Sequence, residues 1–282
     1  MNSRYFPLLL GAGLLLTAAA AVADPLEGRL KRIAETGQFV VGHREASAPF
    51  SYVSDGDPAP VGFGVDVSQR VFQAIRLELA GRDVRMRYSP VTPASAHAMV
   101  RTNSIDIECG AAANLPNRED GWAVSEAIFA GGDRIVSPAG GATRLDDLRG
   151  MRVAYVPDTP AEALILANRE RLHLTPVLVR NDWRAVQALE SGRADAWVGL
   201  GAAQRAQLSV AAGSTAWVVS GTDLQPHIVA CLLPANDPAF KRLVDRVITR
   251  LLRDGELAQL ERKWFAVPAA HVAAAGIDQM SR

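Results

Sequence analysis

Gly37-Gln38-Phe39-Val40-Val41-Gly42 is a short apolar run closed at both ends by glycine, the pattern of a buried strand. Downstream the period changes. Asp66 opens a stretch in which Val67, Val71, Ala74, Ile75 and Leu79 share one helical face, and Gly81 ends it. Val84, Met86 and Tyr88 then alternate with Arg85 and Arg87, as in a half-buried strand. Thr92-Pro93-Ala94-Ser95 starts another helix, because Thr caps free amides and Pro tolerates the first helical position. Ser104 to Cys109 reads as the next strand, closed by Gly110. Strand and helix alternating in this way predict an α/β fold, with a mainly parallel sheet flanked by helices.

A break is predicted near Ala130-Gly131-Gly132, and a second β/α series follows it. Its strands are Arg152 to Val156, Pro176 to Val179 and Ala196 to Val198, and its helices Pro160 to Arg169 and Trp183 to Glu190. A strand at 216–219 ends this block, and His227 to Leu233 forms a near-continuous apolar return strand. Phe240, Leu243, Val244, Val247, Ile248, Leu251 and Leu252 then repeat at the spacing of a core-facing helix. After Gly255, a second short stripe runs through Leu257, Leu260 and Trp264. Two such blocks predict two lobes, each with a mainly parallel sheet, joined by two hinge crossovers near Gly132 to Pro138 and Thr222 to Val229. Lobe 1 combines residues 24–134 with 226–282, and lobe 2 spans 135–225. A ligand belongs in the cleft between them.

The first 23 residues read as a cleavable signal peptide rather than part of the fold. Arg4 precedes an apolar run, and Ala21-Val22-Ala23 is a small-x-small cleavage site. The core from Leu8 to Ala21 is short for a membrane span, which needs about 20 apolar residues. Export to the periplasm follows. The whole chain of 282 residues carries 30 basic and 30 acidic groups. That balance argues against a nucleic-acid partner, which calls for a basic surplus. Two Cys cannot build a four-thiolate zinc site, and His43 has no second ligand at metal-binding spacing, so no metal or cofactor is predicted. In an oxidising compartment an even count favours a Cys109–Cys231 disulfide, against the alternative of two buried thiols.

Residues 41–52, Val-Gly-His-Arg-Glu-Ala-Ser-Ala-Pro-Phe-Ser-Tyr, resemble a segment of the periplasmic glutamate/aspartate-binding proteins of ABC importers. The resemblance continues through Val61-Gly62-Phe63 with Asp66, Ile105 to Gly110, Asn114, Arg118, and Leu145 to Gly150. It runs on through Leu189 to Arg193, Cys231-Leu232-Leu233 and Asp237 to Lys241, in family order along nearly the whole mature chain. It implies the two-lobed periplasmic-binding-protein fold (type II), a hinge-closing monomer that delivers solute to the membrane permease of an ABC importer.

The same resemblance places the binding residues. Arg44 and Arg118 stand where the acidic-amino-acid binders hold a ligand carboxylate, and Thr159 where they place a hydroxyl against it. Ala96 and Pro93 replace a ligand-binding Arg and a Ser, and Ala111 and Ala113 replace hydroxyl residues. Asp182 stands about where a His is expected, and Leu200 near the carboxylate that receives the ligand ammonium. Taken as residues, Asn181-Asp182 before Trp183 reads first as a helix cap. Thr159-Pro160-Ala161-Glu162 is the pattern of a capping box, compatible with an anion at the same helix start. Alternation in Phe50-Ser51-Tyr52 turns one of the two rings toward the cleft.

The resulting expectation is a solute-binding protein that captures a small carboxylate-bearing solute, an amino acid, for import. One alternative is an enzyme on the same scaffold, like the periplasmic cyclohexadienyl dehydratase, with Glu45, Glu108 or Asp182 as its acid. Another is a binding subunit for a sensor or dehydrogenase partner. No serine, cysteine or metal constellation accompanies those acids, which places the binder first.

Overall fold

The structure is a computed structural model that describes residues 26–54, 57–112, 121–209, 211 and 216–265. The predicted leader at 1–23, Ala113, Asn114 and Arg118 lie outside them. Helix α1 (Gly28–Thr36) ends at Gly37, whose φ of 66° turns the chain into β1 (Gln38–His43). A small antiparallel sheet follows: β2 (Ala46–Ser47), β3 (Ser51–Ser54) and β4 (Asp57–Val61). Helix α2 (Phe63–Glu78) returns the chain to β5 (Arg85–Pro90), which pairs parallel with β1. Helix α3 (Pro93–Arg101) starts at a reciprocal cap. Ser95 N–H donates to Thr92 Oγ1 at 3.1 Å, and Thr92 N–H to Ser95 Oγ at 2.9 Å. Strand β6 (Glu108–Ala112) comes next, with Ile107 bridged in parallel to Val41.

Strand β7 (Trp122–Pro138) corrects the predicted break. Ala130, Gly131 and Gly132 lie inside this 17-residue strand, paired with Ile228, His227 and Pro226. Glycine is there for space rather than for a turn. A Cβ on Gly131 would come within 2.9 Å of the Phe129 ring, and one on Gly132 within 2.1 Å of the Asp223 side chain.

The second block contains β8 (Arg152–Tyr155), α4 (Pro160–Leu172), β9 (Thr175–Leu178), α5 (Asp182–Glu190), β10 (Ala196–Leu200), α6 (Gly201–Leu208) and β11 (Trp217–Val219). The chain returns through β12 (Gln225–Pro234) to α7 (Pro238–Arg253) and α8 (Glu256–Phe265). Strands β9, β8 and β10 run parallel, and β7 joins β10 antiparallel. The hydrogen-bonded path β6-β12-β7-β10-β8-β9 is unbroken, because β7 is long enough to serve both halves. Its partner changes at Asp133, which faces Gln225 of β12 on one side and Leu200 of β10 on the other.

The apolar residues fall into separate clusters in the two blocks. Phe39 and Val41 pack with Val67, Val71 and Ile75 of α2 and with Phe240, Val244 and Ile248 of α7. Each such side chain stabilises the fold by about 1.5–3 kcal/mol relative to exposure. In the second block, Val153, Tyr155, Ala196 and Val198 face Ile165 and Leu172 of α4. The alternate residues Ala154 and Trp197 face Val186 and Leu189 of α5. Helices therefore cover both faces of that sheet, as the alternation of a strand requires. Cys109 and Cys231, opposite one another on β6 and β12, form the predicted disulfide.

Candidate functional site

Parallel strands end where the next helix or loop begins, and several of those ends meet in one cavity. The end of β1 contributes Arg44, that of β5 contributes Thr92, and that of β8 contributes Asp158 and Thr159. The ends of β9 and β10 contribute Asp182 and Leu200. Open α/β sheets bind ligands in this position, outside the carboxyl ends of their strands.

Arg44 is held through its backbone. Its N–H donates to Ser51 Oγ, and the Ser51 hydroxyl donates back to the Arg44 carbonyl, both at 3.0 Å. Its guanidinium Nε lies 3.5 Å from Oε1 of Glu108, a side chain buried on β6. Burial pushes the Glu108 carboxyl above its ordinary pKa, and the Arg44 charge opposes that shift. Glu108 Oε2 has no hydrogen-bond partner among the described residues.

Thr159 precedes α4 as its N-cap, but the predicted capping box does not form. Its hydroxyl donates to the Val156 carbonyl at 2.7 Å rather than accepting from a helix amide. Glu162 accepts from Asp158 N–H at 3.0 Å instead of from Thr159. The geometry of the turn explains the difference. Asp158 has a positive φ of 56°, which aims its own amide at Glu162.

Asp182 is not the cap of α5. Asn181 is, with its side chain accepting from Arg184 N–H at 2.9 Å. That frees the Asp182 carboxylate, one residue later, to line the cavity. Burial raises its pKa from 3.8 to about 6, opposed by the charges of Arg44 and His227 and by the Ser47 hydroxyl. Some of its surface still meets the cleft, so the group is deep yet reachable.

Leu200 and Phe50 also line the cavity. Phe50 packs edge-on against Phe63, Phe129 and Phe265, with centroids 5.1–6.0 Å apart. Tyr52 points elsewhere, against Trp264 at 6.2 Å, and is not part of the lining. Ala111 sits on β6 opposite Ala230, while its neighbour Gly110 meets the cavity. Pro93 lines it as well, whereas Ala96 is buried beside Val91 and Val100. Among the described residues no group of His, Cys, Asp and Glu is placed to hold a metal ion.

The sequence model of the bacterial extracellular solute-binding proteins, family 3, matches residues 39–267. The chain belongs to that family. It is 33% identical over 270 residues to the L-glutamate/L-aspartate-binding protein of Pseudomonas aeruginosa, covering 94% of this chain and 89% of the relative. It is 31% identical to the glutamate/aspartate import solute-binding protein of Escherichia coli, covering 93% and 86%. Among solved structures, a mutant of ArgBP from T. maritima superposes with a TM-score of 0.72 at 23% identity, covering 84% of this chain and all but 1% of that one. An ancestral amino acid-binding protein, a precursor of cyclohexadienyl dehydratase, gives 0.71 at 23% identity, covering 84% and 100%. The fold is the two-lobed α/β fold of type II periplasmic binding proteins.

In this family 3 protein the lining also includes Ser47, Arg180, Trp197 and His227, which the sequence pattern does not assign to a site. Arg180 is exposed at the rim and forms no ion pair with a described residue. His227 and Trp197 sit inside apolar strand runs, where a polar ring reads as packing. Ser47 belongs to a two-residue strand too short to carry a period.

Proposed function

We propose that this family 3 protein captures an amino acid in the periplasm and passes it to the membrane subunits of an ABC importer. One observation carries the proposal: Arg44 from the first block and Asp182 from the second share one cavity. The relatives named for glutamate and aspartate support the class of ligand. In this account the ligand carboxylate meets Arg44, the start of α4 beside Thr159, and Arg118, while Asp182 takes the ammonium. An arginine fork grips a carboxylate with two charge-assisted bonds. Among the lining residues, Phe50, Val91, Leu200 and Val229 give the ligand side chain a less polar surround than an acidic group requires.

The lobes in this proposal are 24–134 with 226–282, and 135–225, acting as a monomer. The change of ladder partner at Asp133 supports that boundary. Closure about the crossovers must favour the bound state over the empty one for the permease to sense it. No chemical step is involved. The test is a thermal-shift screen of the mature protein against the twenty L-amino acids and small carboxylates, since a ligand that binds only the folded state raises its midpoint. A shift with one or a few L-amino acids is the expected result. Shifts only with carboxylates that lack an amine would reject the amino-acid assignment.

A further inference from the structure

His227 stands on β12, buried, with its ring in the cavity lining. Its Nδ1 lies 2.7 Å from Oδ1 of Asp133, across the ladder on β7. An ionised carboxylate only accepts, so Nδ1 carries the proton and donates it. Asp133 is itself fully buried, and its other oxygen accepts from Gln225 Nε2 at 2.7 Å. The same amide donates to the carbonyl of Pro160, the first residue of α4, at 2.8 Å. The imidazole is thus fixed from behind by a group with no freedom of its own. With Nδ1 committed, Nε2 is the only polar ring atom left for the cavity, and in the neutral ring it is an acceptor.

Asp182 and His227 line the same cavity. Arg44 and Arg180 are the cations of that wall, and Leu200 and Val229 its apolar members. A primary ammonium brings three N–H donors, and each one left without an acceptor loses its hydration uncompensated. Asp182 alone does not satisfy all three, and Leu200 offers nothing. The geometry points to His227 as a ligand contact whose Nε2, together with the Asp182 carboxylate, receives the ammonium of the bound amino acid, with Asp133 as its positioning residue. This rests on the amino-acid assignment proposed above.

Calorimetry on the full mature protein tests it. The probes are whichever of the twenty L-amino acids gives the largest thermal shift, and the matching 2-oxo acid, which keeps carboxylate and side chain but lacks the amine. His227→Phe keeps a ring and removes the acceptor. It should weaken the amino acid about tenfold or more while leaving the 2-oxo acid within about twofold. His227→Gln, which restores an acceptor, should recover part of the loss. Asp133→Asn can accept from Nδ1 no better than it can donate to it, so the tautomer is freed and the preference for the amine should fall. The melting midpoint of each empty variant shows whether it folds, and where His227→Phe does not, Asp133→Asn decides. Equal losses for both probes, or none, would overturn the role of His227 while leaving the amino-acid assignment standing. If the wild-type protein binds none of the twenty, that assignment has failed and the ammonium site falls with it.

Discussion

Arg44 Nε stands 3.5 Å from Oε1 of Glu108, and only the arginine of the two retains appreciable contact with water. A carboxylate buried beside a half-screened cation is a poor source of stability, since desolvation of the acid consumes much of the attraction. Its value is positional. The acid lies behind Arg44, whose guanidinium is at the cleft, so in the proposed function the pair serves the ligand more than the fold.

Removing the arginine should therefore expose the cost of the acid. Glu108 has a folded pKa above its ordinary value, so the folded state holds that proton more tightly than the unfolded one. Its contribution is present below the unfolded pKa and is lost as pH rises through the folded value. Arg44→Ala removes the charge that opposes the shift and moves the loss to higher pH. The variant should be close to wild type in urea unfolding at about pH 4 and weaker by about 1–3 kcal/mol at about pH 7. An equal deficit at both values would refute the argument.

The disulfide should matter to stability through the length of chain it closes. Cys109 and Cys231 are 122 residues apart, for which the loop-closure model gives about 5 kcal/mol as an idealised limit. Cys109→Ser with Cys231→Ser should lower stability by about 2–5 kcal/mol in urea. Thiol titration of denatured, unreduced wild-type protein should find no free thiol. Two free thiols would show that the bond is absent in the isolated protein.

Much of this was legible in the sequence because each block keeps a simple period. The stripe on α7 and the alternation of β5 follow from the residues that face the core. Arg44, Thr159, Asp182 and Leu200 were placed by the family resemblance, and each follows a strand that the pattern identifies. What escaped notice depends on contacts across long separations. His227 and Asp133 are 94 residues apart, and neither has a neighbour in sequence that hints at the other. Helix α1 is masked by Arg29, a charged residue on its buried face. Arg29 donates to Asp106 at 3.1 Å and to the Val100 carbonyl at 2.7 Å, so the charge is satisfied inside the protein. Gly131-Gly132 read as a break because nothing local shows Leu200 and Asp223 crowding those two positions.

Asp237 ties two helices together with one carboxylate. Oδ1 accepts from Phe240 N–H at 2.9 Å to cap α7, and Oδ2 accepts from Arg29 N–H at 2.5 Å at the start of α1. Asp237→Ala strands both amides and should cost about 2–3 kcal/mol, above the usual ~1 kcal/mol for a lost cap. Asp237→Asn keeps an acceptor for one amide and should cost less. Urea midpoints of the two variants in the wrong order would contradict the shared-cap geometry.

Asp182 allows the charge of the empty cleft to be read as a pH dependence. Its folded pKa of about 6 lies above the ordinary 3.8, and burial is the main cause. The sign follows from the direction of that shift. The protonated acid is favoured in the folded state, so stability is fully present below about 3.8 and is lost as pH rises through about 6. Asp182→Asn carries no such charge and escapes the loss. The empty variant should match wild type at about pH 3 and exceed it by about 1–3 kcal/mol at about pH 7, less than full burial would give because part of the side chain still meets water. Ligand should reverse the order. An ammonium placed against the carboxylate supplies the counter-charge that the empty cleft lacks, so wild type should gain more from a bound amino acid than Asp182→Asn does. Urea unfolding at both pH values, with and without the amino acid found in the thermal-shift screen, measures all of these quantities. If Asp182→Asn is less stable than wild type at about pH 7 without ligand, the carboxylate is a structural anchor and its assignment to the ammonium is wrong.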